Sequence, residues 1–139
     1  MPLRRWSTLL GLLGLGISLY LTVVHYAQGQ VPLACATSGL VNCEQVTSSA
    51  ESMLGPVPVA VLGVVWFAVQ LALAMAGAAS RLQLAWAAGG LAFVFYLVYA
   101  ELFLIGAICL WCTAVHLLVA GVFLLAVAEA SAGPVEASA

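Results

Sequence analysis

Four stretches of this chain run for about twenty residues with almost no charge, and the polar residues gather mainly between the first and the second. The runs cover residues 6–26, 57–77, 84–106 and 109–128, and Glu101, near the end of the third, is the only charged residue inside them. A helix rises about 1.5 Å per residue, so roughly 20 residues match a hydrocarbon layer about 30 Å thick. The runs are continuously apolar rather than alternating, which favours helices over the strands of a membrane barrel. The pattern predicts an all-α integral membrane protein: a four-transmembrane-helix bundle forming one domain over residues 1–139, with a long extracytoplasmic first loop over 28–56 and a short connection between spans three and four.

The loop holds Gln28, Gln30, Thr37, Ser38, Asn42, Glu44, Gln45, Thr47, Ser48, Ser49, Glu51 and Ser52. A connection longer than about 12–15 residues usually has a function or is disordered, and the two cysteines it carries, Cys35 and Cys43, argue for function. From Cys43 onward, Val46, Met53 and Leu54 at near-helical spacing predict a short amphipathic helix on the membrane surface. Gly55-Pro56 and Pro58 then lead into span two, where proline is tolerated in the first turn.

Composition narrows the class. The chain is 65% hydrophobic and 6% charged, which excludes a soluble domain, normally about a quarter charged, and excludes disorder. Three basic residues leave no patch for nucleic acid. Those three also set an orientation, because Arg and Lys near span ends stay cytoplasmic. Arg4 and Arg5 precede span one and Arg81 lies between spans two and three, so both termini are expected in the cytoplasm and all four cysteines outside. Disulfides persist on that side. An alternative at the N-terminus is a signal peptide with Leu33-Ala34-Cys35 as a lipoprotein-like processing site, but the apolar run exceeds the roughly 7–15 residues of a signal peptide.

Cys109-Leu110-Trp111-Cys112 is a Cys-x-x-Cys pair at the start of a helical run. Unpaired N–H groups at a helix N-terminus stabilise a thiolate, the species that attacks and leaves in disulfide exchange. Haem attachment would need His after Cys112, where Thr113 stands. A Cys₄ zinc site usually shows two closely spaced pairs, and Cys35 and Cys43 are too far apart. Two inert disulfides remain the structural alternative, and the sequence does not choose among the three connectivities. A relay fits better: one pair meets a soluble partner, the other a membrane electron acceptor.

These residues resemble the vitamin K epoxide reductase family. The likeness rests on Cys35 and Cys43 followed by Glu44-Gln45-Val46-Thr47-Ser48-Ser49, on Gly55-Pro56-Val57-Pro58 with Gly63, and on Glu101 through Ile108-Cys109-Leu110-Trp111-Cys112 to His116. It spans about residues 10–125. Bundles of the disulfide bond protein B type also carry two cysteine pairs, but their Cys-x-x-Cys follows the first span, whereas here it opens the fourth.

The resemblance implies a quinone-dependent thiol–disulfide oxidoreductase of the bacterial inner membrane that supports disulfide bond formation. Cys35, Cys43, Cys109 and Cys112 would be catalytic: Cys35 meets a periplasmic thioredoxin-fold partner of the disulfide bond protein A type, Cys43 exchanges with Cys109, and Cys112 reduces the quinone. With the last residue at Ala139, that partner is expected to be a separate protein. The quinone, whether menaquinone, ubiquinone or a vitamin K type, would sit near His116, Trp66, Val59 and Ser49. Val59 and His116 stand where the animal enzymes carry an asparagine and a tyrosine, which favours a bacterial quinone over a vitamin K epoxide. His116 lies one turn from Cys112 on the same face, and Glu101 is either a proton relay or a snorkelling or helix-capping acid. His25 is expected at the interface; Trp6, Trp66, Trp86, Tyr20, Tyr26, Tyr96 and Tyr99 as interface anchors or packing; Phe67 as core packing; and Gly11, Gly14, Gly16, Gly89 and Gly90 as sites of close helix approach.

Overall fold

The computed structural model describes residues 2–27, 29–35 and 37–133, so Gln28 at the start of the expected loop and Glu136 near the C-terminus lie outside it. The architecture is all-α. Helix α1 runs Pro2–Ala27 and a one-turn helix α2 covers Cys43–Thr47; a 3₁₀ turn at Ala50–Ser52 leads into a two-residue hairpin, β1 (Met53–Leu54) and β2 (Val57–Pro58). Helix α3 spans Val59–Met75, α4 Ser80–Tyr99 with a π turn over Ala100–Ile105, and α5 Leu110–Ala132. Among the described residues, three helices are long and apolar enough to cross a membrane, Pro2–Ala27, Ser80–Ile105 and Leu110–Ala132; α3 is a shorter apolar helix of 17 residues. The protein is a multi-pass helical membrane protein.

Element boundaries moved for identifiable reasons. Helix α1 begins at Pro2 rather than residue 6, since proline is accommodated in a first turn and the two arginines interrupt no hydrogen bond. Helix α3 starts at residue 59 rather than 57 because Val57 and Pro58 pair with Leu54 and Met53 across a turn at Gly55, whose φ of 62° suits glycine. That hairpin corrects the loop reading: Met53 and Leu54 are extended, and the helical turn begun at Cys43 stops at Thr47. Helix α4 begins at Ser80, four residues before the expected start. Helix α5 starts at Leu110 and runs to Ala132, with Cys109 as its N-cap rather than its first residue.

Helix α1 lies along α3 and α5, and α4 lies along α5, while α3 and α4 meet less extensively. Small residues permit the close crossings, as expected where lipid removes the hydrophobic drive between helices. A Cβ at Gly14 would collide with the Phe67 ring, one at Gly90 with the Trp66 indole, and one at Gly63 with Ser18. Gly11 faces Leu71, but Gly16 and Gly89 face open space, so those two do not serve the helix contacts expected of them. Gln70 on α3 donates to the Ser7 hydroxyl on α1 at 3.1 Å, both side chains buried. At that end of the bundle Arg4 reaches Gly77 in the α3–α4 turn, close to the start of α4, whose second residue is Arg81. The cysteines gather at the other end.

Candidate functional site

Cys35 and Cys43 form a disulfide, while Cys109 and Cys112 are thiols. With its two sulfurs joined, the loop pair has no thiolates for the zinc site considered above, and Cys35 is not a free processing site. Cys43 is buried and Cys35 half-buried, so the disulfide has an inner and an outer sulfur.

The loop is held over α5 by backbone pairing. Val41 bridges Ile108 in parallel; Asn42 N–H donates to the Ile108 carbonyl at 2.9 Å and Ile108 N–H to that of Leu40 at 2.8 Å. Asn42 also caps α2, its side chain accepting from Gln45 N–H at 3.0 Å, which fixes Cys43 at the first position of that turn. Gln45 Nε2 donates to the Ile105 carbonyl at 3.2 Å. On the outer arm, Trp111 Nε1 donates to the Ala34 carbonyl at 2.8 Å, and Tyr20 OH donates to the Pro32 carbonyl and accepts from Ala34 N–H. The Tyr20 and Trp111 rings lie 5.1 Å apart. Tyr20 was expected as an anchor or packing residue; its hydroxyl is a latch on the residue before Cys35.

Two sulfurs share the N-terminus of α5. Leu110 N–H donates to Cys43 Sγ at 3.2 Å, and Cys112 N–H to Cys109 Sγ at 3.4 Å. Both donors belong to the first turn, whose N–H groups have no partner within the helix. Cys109 is fully buried and packs with Cys43, Val46 and Ala107. Its thiol is held below the ordinary range chiefly by the hydrogen bond from the Cys112 thiol and further by backbone N–H groups, against the opposing effect of burial. A disulfide sulfur and a thiol therefore share the positive end of one helix dipole.

Below them lies a cavity of about 480 Å³ with a mostly apolar wall, to which α3 and α4 contribute most and α1, α5 and the loop the rest. Cys112, His116 and Glu101 reach its wall, with His25 from α1 and Glu51 from the 3₁₀ turn. His25 thus faces the cavity as well as one end of α1. Of the expected pocket residues, His116, Trp66 and Val59 line it. Ser49 does not: its hydroxyl donates to the Val46 carbonyl at 2.7 Å, closing the turn after α2, which corrects its assignment to the pocket. Trp66 stacks on Trp86 and meets Phe67 edge-on; its Nε1 lies against Gly90 and has no hydrogen-bond partner among the described residues. Phe67, expected as core packing, is buried and also reaches the cavity wall.

Glu101 is 6% exposed and does not snorkel. It continues the buried stripe Gln83, Ala87, Gly90, Val94 of α4, seven residues beyond the last. Its carbonyl accepts from both Gly106 and Ala107 N–H, which closes the π turn, and Gly106 at φ 73° ends the helix. The side chain points into the site: Oε2 accepts from Cys109 N–H at 3.4 Å and Oε1 lies 4.0 Å from His116 Nε2.

A disulfide, a dithiol and an apolar cavity gathered at one end of a helical membrane bundle define a membrane-embedded protein of thiol–disulfide redox chemistry. The sequence model of the vitamin K epoxide reductase family matches residues 5–127 of the 139, and the chain belongs to that family. No curated protein matches the chain.

Proposed function

We propose that the protein is a quinone-dependent thiol–disulfide oxidoreductase of the bacterial inner membrane that reoxidises a periplasmic thioredoxin-fold protein. In this reading α3 is a fourth span, residues 1–139 act as one membrane domain, both termini are cytoplasmic, and the cysteine end faces the periplasm. The observation that carries it is the pairing at the α5 N-terminus: Cys43 Sγ accepts from Leu110 N–H beside Cys109, while Cys112 reaches the cavity. The free thiols at Cys109 and Cys112 speak against two inert staples.

The electron path follows the burial of the sulfurs. A partner thiolate attacks the half-buried Cys35 and releases Cys43 as a thiolate, stabilised where it already accepts the Leu110 N–H. Cys43 attacks Cys109 in the oxidised Cys109–Cys112 pair and frees Cys112. The partner's second thiol displaces Cys35, which attacks Cys43 to reclose the loop disulfide and return Cys109 as a thiol. That final state, with Cys35–Cys43 closed and Cys109 and Cys112 open, is the one the structure holds.

The cavity suits a quinone head: about 480 Å³ lies within the range of roughly 300–1,000 Å³ for small-molecule sites, with few polar groups on an apolar wall. A bound quinone supplies an acceptor for two electrons and two protons. Cys112 delivers the electrons, His116 offers a hydrogen bond on the same wall, and Trp66, Phe67 and Val59 exclude water. Anaerobic mixing of the reduced protein with menaquinone and ubiquinone analogues, followed by quinone absorbance, tests the reading. Stoichiometric quinone reduction with closure of Cys109–Cys112 supports it, and unchanged absorbance with both thiols still free overturns it.

A further inference from the structure

Glu101 is the buried carboxyl group on the cavity wall that the electron path leaves without a task. The position is costly for a carboxyl group, because buried polar groups in a membrane carry a desolvation penalty. Packing alone would be met by an apolar side chain on the stripe Gln83, Ala87, Gly90, Val94. The side chain instead spans two groups of the site, with one oxygen on the Cys109 backbone N–H and the other 4.0 Å from His116. The titratable groups around the cavity are His25 on α1, Glu51 on the 3₁₀ turn, Cys109 just ahead of α5, and Cys112 and His116 on it; the wall residues of α3 and α4 include none.

We propose that Glu101 is an internal proton carrier: it takes the proton of the Cys109 thiol and passes it to His116, so that protons leave the dithiol beside the electrons. This rests on the quinone-linked reading above. The balance closes without solvent: the Cys109 thiolate with its proton on Glu101, and the Cys112 thiol, together lose two electrons and two protons as the Cys109–Cys112 sulfur–sulfur bond forms, and one quinone gains both to become the quinol. The Cys109 proton travels by Glu101 and His116 to one quinol oxygen, and the Cys112 proton goes to the other from the cavity wall. In the reduced protein Glu101 holds the proton that Cys109 has given up. Once the pair is oxidised, that proton is gone and Glu101 is a carboxylate.

The first readout needs no quinone. Infrared difference spectra of the purified protein, with Cys109–Cys112 oxidised by a soluble diazene oxidant, should show loss of a protonated-carboxyl C=O band, absent from Glu101→Gln and shifted in Glu101→Asp. Glu101→Gln keeps an oxygen for the Cys109 N–H, so the local geometry is preserved while proton carriage is removed. In single-turnover mixing with a quinone analogue, Glu101→Gln and His116→Gln should each slow quinone reduction roughly 10²-fold, within the span of general acid–base effects. The double variant should be no slower than the slower single, because both act on one route. Glu101→Asp should recover part of the rate. An unchanged carboxyl band on oxidation, or additive losses in the double variant, overturns the proposal. Failure of the wild-type protein to reduce any quinone would instead overturn the acceptor assignment, and the infrared result would still decide the carrier role.

Discussion

The two cysteine pairs solve different problems with the same chemistry. Cys109 and Cys112 belong to a helix start, where the backbone itself supplies N–H donors and the spacing is set by one turn. Cys35 and Cys43 lie eight residues apart in a loop, and their position depends on contacts with distant parts of the chain: Tyr20 and Trp111 on one arm, Ile108 and Ile105 on the other. One pair is placed locally, the other by the tertiary structure. The difference suits the proposed relay, in which the pair meeting a membrane acceptor would have to be fixed against a cavity while the pair meeting a partner protein would need an accessible sulfur.

The sharpest break between the pairs comes from single substitutions. Cys112→Ala should lower quinone reduction by at least about 10³-fold with any thiol donor, as loss of a nucleophile does, and stopped-flow absorbance would measure it. Cys35→Ala should lower oxidation of a thioredoxin-fold partner by about 10²-fold or more. A small dithiol that reaches Cys109–Cys112 directly should still be oxidised within about tenfold of the wild-type rate; equal loss for both donors would erase the distinction.

Smaller effects separate placement from chemistry. Gly14→Val forces a side chain into the Phe67 ring and should cost about 1–3 kcal/mol of stability, whereas Gly16→Val, facing open space, should cost little. Detergent-solubilised thermal unfolding compares the two. Trp111→Phe keeps the ring beside Tyr20 but removes the donor to the Ala34 carbonyl, a bond worth about 0.5–1.5 kcal/mol. Partner oxidation should fall up to about tenfold while small-dithiol oxidation holds; a fall in both would mean that Trp111 serves the helix pair rather than the loop.

Much of the site was legible because its signals are local. The Cys-x-x-Cys spacing announces a helix-start dithiol, and the four-residue step to His116 places it on the same wall as Cys112. Glu101 could have been assigned to the interior from its seven-residue step beyond Val94 on the buried stripe. Met53 and Leu54 misled for the opposite reason: in a polar loop, near-helical spacing does not determine where a turn ends, and Ser49, placed by resemblance, turned out to close that turn. The Thr47, Ser48 and Ser49 hydroxyls bond nearby carbonyls and a hairpin takes over at Met53. Tyr20 gave no sign of its role, since its partners are 12 and 14 residues away in a segment without periodicity.

The sequence by itself determined a helical membrane protein with a redox-suited dithiol at one helix start, because apolar run length, scarcity of charge and short spacings are properties of neighbouring residues. The tertiary structure alone decided that Cys35 pairs with Cys43 and that Cys43 sits on the α5 N-terminus. It also decided that Glu101 joins the Cys109 backbone to His116 and that an apolar cavity opens beneath Cys112. Each of these depends on how separate elements pack against one another, and packing is not a property of neighbouring residues.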